Sequence, residues 1–351
     1  MANFGPKDIK KLRETTNAGM MDCKNALKES DGNFDDAVAW LREKGLGAAA
    51  KKAGKVAAEG VVSVQVSDRK AVIVEINSQT DFVAQNDTFK AVVAEITAHA
   101  FDNSLADADA INASTINGQP FADYLSLQIA TIGENLVVRR AGIVASDDET
   151  VAINGYVHAN SRVAVILGAK CEDAETAKKV AIELKNIAMH AAAMSPTTLS
   201  YRDFDAQFVV DETNGRIEKI KKENEELVRL KKPLKNVPQY VSMMQLTEEV
   251  LAEAKTAIEA ELAAEGKPEK IWDKIVPGKL ARFISDNTLL DQELALLDQK
   301  YVMDDSVTIA GHIEKISGGK ATITDFIRLE VGEGIEIVEE DFAAEVAKQM
   351  G

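Results

Sequence analysis

The same order of patterns occurs twice in this chain, and the repetition limits its possible folds more than any other feature. Val61–Ser67 and Ala71–Ser78 are rich in β-branched residues and are separated by the polar Asp68-Arg69-Lys70, which predicts two paired strands. A helix is expected from about Asp87 to Phe101, with Phe89, Val92, Val93, Ile96 and Thr97 at helical spacing behind the capping residues Asn86-Asp87-Thr88. After a polar stretch and a short helix near Phe121–Ile132, Leu136–Ala145 reads as a further strand. The order then recurs. Val151–His158 and Arg162–Lys170 form a hairpin turning at Asn160-Ser161, followed by a long amphipathic helix from Ala174 to Ala193. Ala321–Val331 closes the second copy. The fold class expected is α+β, with two related subdomains carrying antiparallel sheets.

Other elements flank and interrupt this repeat. Gly5-Pro6 opens a first helix, and Met20 to Leu27 forms a second. Phe34, Ala37, Val38 and Leu41 mark a third, which Lys44-Gly45 should close. Such a minimal bundle has a thin core, so one of Met20 and Met21 is expected inside it and the other outside. Cys23 reads as a small buried residue. Gly45 to Gly60, rich in Ala, Gly and Lys, reads as a linker that is partly helical and weakly tied down. An insertion interrupts the second copy. Ile217, Ile220, Leu227, Leu230 and Leu234 form one apolar seam, and Leu246, Val250, Ala254, Ile258 and Leu262 form another. With Pro233 and Pro238 turning the chain between them, the two seams are expected to pair as an antiparallel helical (coiled-coil) hairpin.

Composition narrows the function classes. The net charge of −16 leaves no basic excess to neutralise phosphates, which argues against direct nucleic-acid binding. The balance is uneven: residues 1–60 carry 11 basic against 9 acidic side chains, a net of +2, leaving −18 for the remainder. Two cysteines, Cys23 and Cys171, have no metal-ligand spacing and suit a reducing compartment. Met1 to Asp8 has no apolar signal region, and no apolar run approaches membrane-spanning length, so a cytoplasmic protein with no membrane partner is expected. No phosphate-cradling Gly-x-x-x-x-Gly-Lys-Ser/Thr occurs; Gly318-Gly319-Lys320-Ala321 lacks the spacing and the hydroxyl. The histidines are scattered, His190 reading as a core residue, and no nucleophile arrangement accompanies them. The expectation is therefore a non-enzyme with no cofactor, no metal and no catalytic residues.

The run Glu75-Ile76-Asn77-Ser78-Gln79-Thr80-Asp81-Phe82-Val83-Ala84 leads from a strand into a helix and sets a carboxylate beside a large aromatic. By itself Phe82 is more readily a core ring than a functional one. The ten residues together, however, resemble the signature of the elongation factor Ts family, the guanine-nucleotide exchange factors of elongation factor Tu. Gln85 departs from the pattern, where a basic residue or Asn is expected. Leu12 to Leu27 and Phe326 to Glu336 resemble the same family, so the likeness covers essentially the whole chain.

The resemblance implies a division into a three-helix, ubiquitin-associated-like docking domain with its linker (1–55), a first core subdomain (56–145) and the first part of a second (146–200). The helical insertion (201–304), the remainder of the second subdomain (305–337) and a short C-terminal helix (338–351) would follow. It further implies that Thr80, Asp81, Phe82 and Val83 bind the partner and dislocate its Mg²⁺, while Gly19, Met20, Met21 and, at the hairpin tip, His158 dock on it. The partner would be elongation factor Tu, GDP-bound or nucleotide-free; the helical insertion leaves a homodimer open as well. Two rival classes stand beside this reading: an adaptor binding ubiquitin-like or other peptides through its three helices, and a hydrolase or transferase using Asp81 and His158.

Overall fold

The computed structural model describes residues 4–16 and 18–336. The chain divides into two units. Of the described residues, one unit comprises those up to Ala169, Ala181–Ala192 and those from Ile327 on; the other comprises Lys170–Val180 and Ala193–Phe326.

The first unit opens with α1 (Pro6–Thr16), α2 (Met20–Glu29) and α3 (Phe34–Lys52). Leu12, Cys23, Ala26, Leu27, Ala37 and Leu41 fill the space between them. Next come β1 (Glu59–Ser67), β2 (Lys70–Ser78), α4 (Asp81–Gln85), α5 (Asp87–Asp102) and α6 (Ala108–Asn112). A miniature hairpin, β3 (Thr115–Ile116) and β4 (Gln119–Pro120), leads into α7 (Phe121–Ile132) and β5 (Val137–Ala145). The second copy of the repeat is β6 (Val151–Val157), β7 (Val163–Cys171), α8 (Ala174–Met194) and, far along the chain, β10 (Ala321–Glu330). The two sheets have matching orders, β1-β2-β5 and β6-β7-β10, with the second hairpin strand central in each. The duplication expected from the sequence is therefore present as topology, and the fold is α+β.

The period-2 geometry of β2 explains how one strand serves two cores. Val72, Val74 and Ile76 face a layer built with Phe89, Val93 and Ile96 of α5 and Phe121 and Tyr124 of α7. Ala71 and Ile73 face the opposite way, towards Ile153, Ala164, Ile166 and Leu329. A strand buried on both faces cannot show hydrophobic alternation, which is why this one reads as a continuous apolar run.

Two expectations for the first unit need correction. Gly45 does not end a helix: α3 continues to Lys52, so much of the expected linker is helical. The glycine instead permits close packing, because a Cβ there would lie 3.1 Å from Leu127 Cδ2 and 3.3 Å from the Leu127 backbone nitrogen of α7. Arg42 pairs with Asp123 at 2.8 Å across the same contact. Nor is either methionine in the core. Met20 and Met21 are both well exposed, since Leu12, Cys23 and Leu27 already fill the thin interior.

The second unit contains α9 (Ala206–Arg229), α10 (Glu248–Ala264), α11 (Trp272–Asp286) and α12 (Leu289–Leu294). A small ribbon, β8 (Lys300–Tyr301) and β9 (Asp304–Thr308), and α13 (Ile309–Ser317) follow before β10 begins. The insertion does hold an antiparallel helical hairpin, but its members are α10 and α11, joined by a Lys279–Glu261 pair at 2.9 Å, and the two expected seams do not pair. After α9 the chain returns along that helix with no α-helix or strand before α10, only a short 3₁₀ turn at Met243–Gln245. Asn224 receives the Lys235 N–H at 2.8 Å, and Gln245 donates to Thr213 at 3.0 Å. Pro233 and Pro238 keep this return from becoming helical. Side chains take up its backbone donors: Asn287 receives the N–H groups of Gln239 and Tyr240, Gln245 those of Val241 and Ser242, and Asp291 that of Met243.

The expected C-terminal helix lies outside the described residues. Among those described, no helix is long and apolar enough to cross a membrane.

Candidate functional site

The end of β2 sets the position of the Thr80–Val83 segment. Asn77 and Ser78 are still in the sheet, paired with Gly60 and Glu59 of β1. At Thr80 the chain is extended (φ −124°, ψ 154°), and its hydroxyl accepts the Val83 N–H at 3.3 Å as the N-cap of α4. The helix lasts about one turn. Asn86 ends it and at once caps α5 by accepting the Thr88 N–H at 2.7 Å. Two caps six residues apart thus create a corner between strand and long helix, from residues that all sit close together in the sequence.

Helical geometry then sorts the side chains. Ala84 is buried and Val83 packs against the core beneath it. Asp81 and Phe82 point the other way, and Phe82 is 82% exposed. The ring is therefore not a core residue. An isolated Phe this exposed, on a corner fixed by packing and caps, is available to a partner.

The corner has a further support that the sequence did not signal. Gly133-Glu134-Asn135 connects α7 to β5, with Gly133 in the left-handed region (φ +88°) as the helix C-cap. Glu134 Oε2 accepts the N–H groups of both Gln79 and Thr80 at 3.0 Å, and Oε1 accepts the Thr80 hydroxyl at 2.7 Å. Asn135 Nδ2 donates to the Lys55 carbonyl at 2.9 Å, and Lys52 Nζ donates to the Gly133 carbonyl. One short turn thus holds both the corner and the end of the helical bundle. A polar turn between a helix and a strand was the only sequence signal for this, and it does not say what the turn touches.

A second unforeseen carboxylate is Glu75, wholly buried in β2. It accepts from Arg139 Nη1 at 3.1 Å, Arg140 Nε at 2.5 Å and the Gly332 N–H at 2.9 Å. Arg140 also reaches Glu333 Oε2 at 3.0 Å and the Glu330 carbonyl at 2.6 Å. The chain after β10 is thereby fastened to β2 and β5. The signal available was a single charged residue in an otherwise apolar, β-branched run.

The remaining predicted residues are spread over two other places. Gly19 is the N-cap position of α2, without a side-chain cap bond, and places Met20 and Met21 on the exposed first turn. Cys23 is buried behind them, and burial pushes its thiol above the ordinary range. His158 is exposed at the tip between β6 and β7, with Nδ1 3.3 Å from the Tyr156 hydroxyl. A groove of about 480 Å³ runs between the corner and this tip, lined by Ala84, Gln85 and Lys90 on one side and Val157 and Asn160 on the other. Residues that follow Val83 and residues that flank His158 line this groove, but none of Thr80–Val83, His158, Gly19, Met20 or Met21 does. No group of three His, Cys, Asp or Glu side chains among the described residues could hold a metal ion.

The family model described as Elongation factor TS matches residues 79–235 and 235–333. Elongation factor Ts of Sulfurovum sp. (strain NBC37-1) is 68% identical, with all of both chains covered. That of Aliarcobacter butzleri (strain RM4018) is 55% identical, and that of Helicobacter hepaticus 51%, again over all of each chain.

Proposed function

This chain belongs to the elongation factor Ts family, and on that premise we propose that it promotes GDP release from elongation factor Tu during translation elongation. The observation that carries the reading is the exposed Phe82 ring on a corner held from both ends. The protein acts as a binding partner and not as an enzyme, in the cytoplasm, with no nucleotide, nucleic acid or membrane of its own to bind.

A GTPase holds GDP through backbone N–H groups around the phosphates and through an octahedral Mg²⁺ that tolerates little distortion. An exchange factor needs only to bind the distorted, nucleotide-free form more tightly; linkage then weakens GDP by the same factor. Phe82 enters between helices of the partner's nucleotide domain, and burying its ring supplies roughly 1.5–3 kcal/mol towards the distorted form. Asp81, exposed beside it, hydrogen-bonds the displaced segment. Thr80 and Val83 hold the shape of the corner. The shift disturbs the Mg²⁺ site and turns a phosphate-binding peptide so that a carbonyl faces the phosphate. Gly19, Met20 and Met21 dock the bundle on the same partner; two exposed, shape-adaptable methionines suit that task. His158 docks at the hairpin tip.

The test is release of fluorescent GDP from elongation factor Tu with and without this protein. Strong acceleration is expected. No acceleration with the cognate partner would overturn the reading, and the three-helix adaptor would then be the alternative to examine.

A further inference from the structure

A one-turn helix has almost no stability of its own, because nucleation fixes several residues for a single hydrogen bond. Yet α4 must hold Phe82 still if the ring is to be presented in one orientation. Packing of Val83 and Ala84 fixes its inner side. Its entry depends on Thr80, whose hydroxyl must accept from Val83 and can do so reliably only if its own proton points elsewhere. Glu134 Oε1, 2.7 Å away, takes that proton. The other carboxylate oxygen takes the two N–H groups that immediately precede the helix. Three donors of the entry segment thus converge on one side chain 55 residues away from Gln79. Being charge-assisted, these bonds are stronger than neutral ones.

We propose that Glu134 is a positioning residue for exchange: it holds the Thr80–Val83 corner in the conformation that presents Phe82. The inference rests on the exchange reading above and deepens it. Without the carboxylate, the corner samples other shapes, and the partner must order it during docking. The ring is unchanged, but less of its binding free energy reaches the distorted state.

The experiment compares wild type, Glu134→Gln, Phe82→Ala and the double variant by GDP release from elongation factor Tu, thermal melting and amide hydrogen exchange. Gln is isosteric but turns one acceptor into a donor. Glu134→Gln should lower the exchange rate roughly 10-fold, as loss of bonds to a charged group implies. Amides of Gln79 and Thr80 should exchange faster while those of Ile73 and Val74 do not, which a general loss of stability would not produce. The double variant should be no worse than Phe82→Ala alone. Additive losses, or unaltered protection at Gln79 and Thr80, would overturn the proposal. If Glu134→Gln lowers the melting temperature, Thr80→Val decides instead: lost exchange in a folded chain sustains the proposal, and full exchange overturns it. Failure of wild type to release GDP would refute the exchange reading, whereas the amide data on Glu134→Gln test the corner independently.

Discussion

Phe82→Ala and Phe89→Ala remove the same ring from sites seven residues apart and should give opposite results. Phe82 is 82% exposed, so its removal opens no cavity, and the folding free energy should change by no more than about 0.5 kcal/mol. Phe89 is fully buried in the core beneath, and its removal should destabilise by roughly 3–5 kcal/mol. In the exchange assay the order reverses. Loss of a ring that contributes about 1.5–3 kcal/mol when buried against the partner lowers GDP release roughly 10- to 100-fold. At temperatures where Phe89→Ala remains folded, its exposed corner should retain most of the activity. Stopped-flow release of fluorescent GDP and urea denaturation of each variant provide both readings. A loss of stability in Phe82→Ala approaching that of Phe89→Ala would refute the placement of the ring. Unaltered stability with unaltered exchange would refute its role.

Other substitutions test the supports of the fold. Glu75→Ala leaves Arg139 and Arg140 without their buried acceptor and should cost about 3–5 kcal/mol in urea denaturation, whereas an effect below about 1 kcal/mol would mean that the cluster is dispensable. Gly45→Leu should destabilise by roughly 1–3 kcal/mol because the side chain meets Leu127, while Gly47→Ala, with open space around it, should raise the melting temperature through helix propensity. Burial pushes the Asp291 carboxyl up to about 6 from 3.8. With the folded pKa raised, its contribution is fully present below pH ~4 and lost as pH rises through about 6, leaving the ionised form roughly 3 kcal/mol less favourable at pH 7. Asp291→Asn should therefore be more stable than wild type at pH 7, with the urea midpoints converging towards pH 4; parallel pH profiles would refute the assignment.

Much of this architecture was legible because it is written in neighbouring residues. β-Branched runs separated by polar turns specify the hairpins, and caps such as Thr80 and Asn86 act on backbone groups two or three positions away. The ten-residue run from Glu75 to Ala84 and the two other family-like stretches were recognisable for the same reason, since each is contiguous. Helical spacing found α5, α7 and α8 within a residue or two. It did not find the partner of each helix. Two apolar seams of similar period can pair with each other or with a third, and here α10 packs on α11 while the chain after α9 returns as an irregular segment.

What the sequence determined by itself is therefore the strands and longer helices of the repeat, their order, and the family to which the chain is similar, whereas the short helices α6, α12 and α13 and the two-stranded ribbons β3-β4 and β8-β9 carried no signal read from it. The tertiary structure alone decided which apolar residues remain outside. Met20, Met21 and Phe82 are as hydrophobic as the residues buried next to them, and they are exposed because other side chains already fill the close-packed space beneath. It also decided the roles of Glu75 and Glu134. A carboxylate contributes nothing to hydrophobic periodicity, and its donors here come from chain segments 54 to 257 residues away. Only folding brings such groups within 3 Å, so only the folded chain reveals what holds the corner in place.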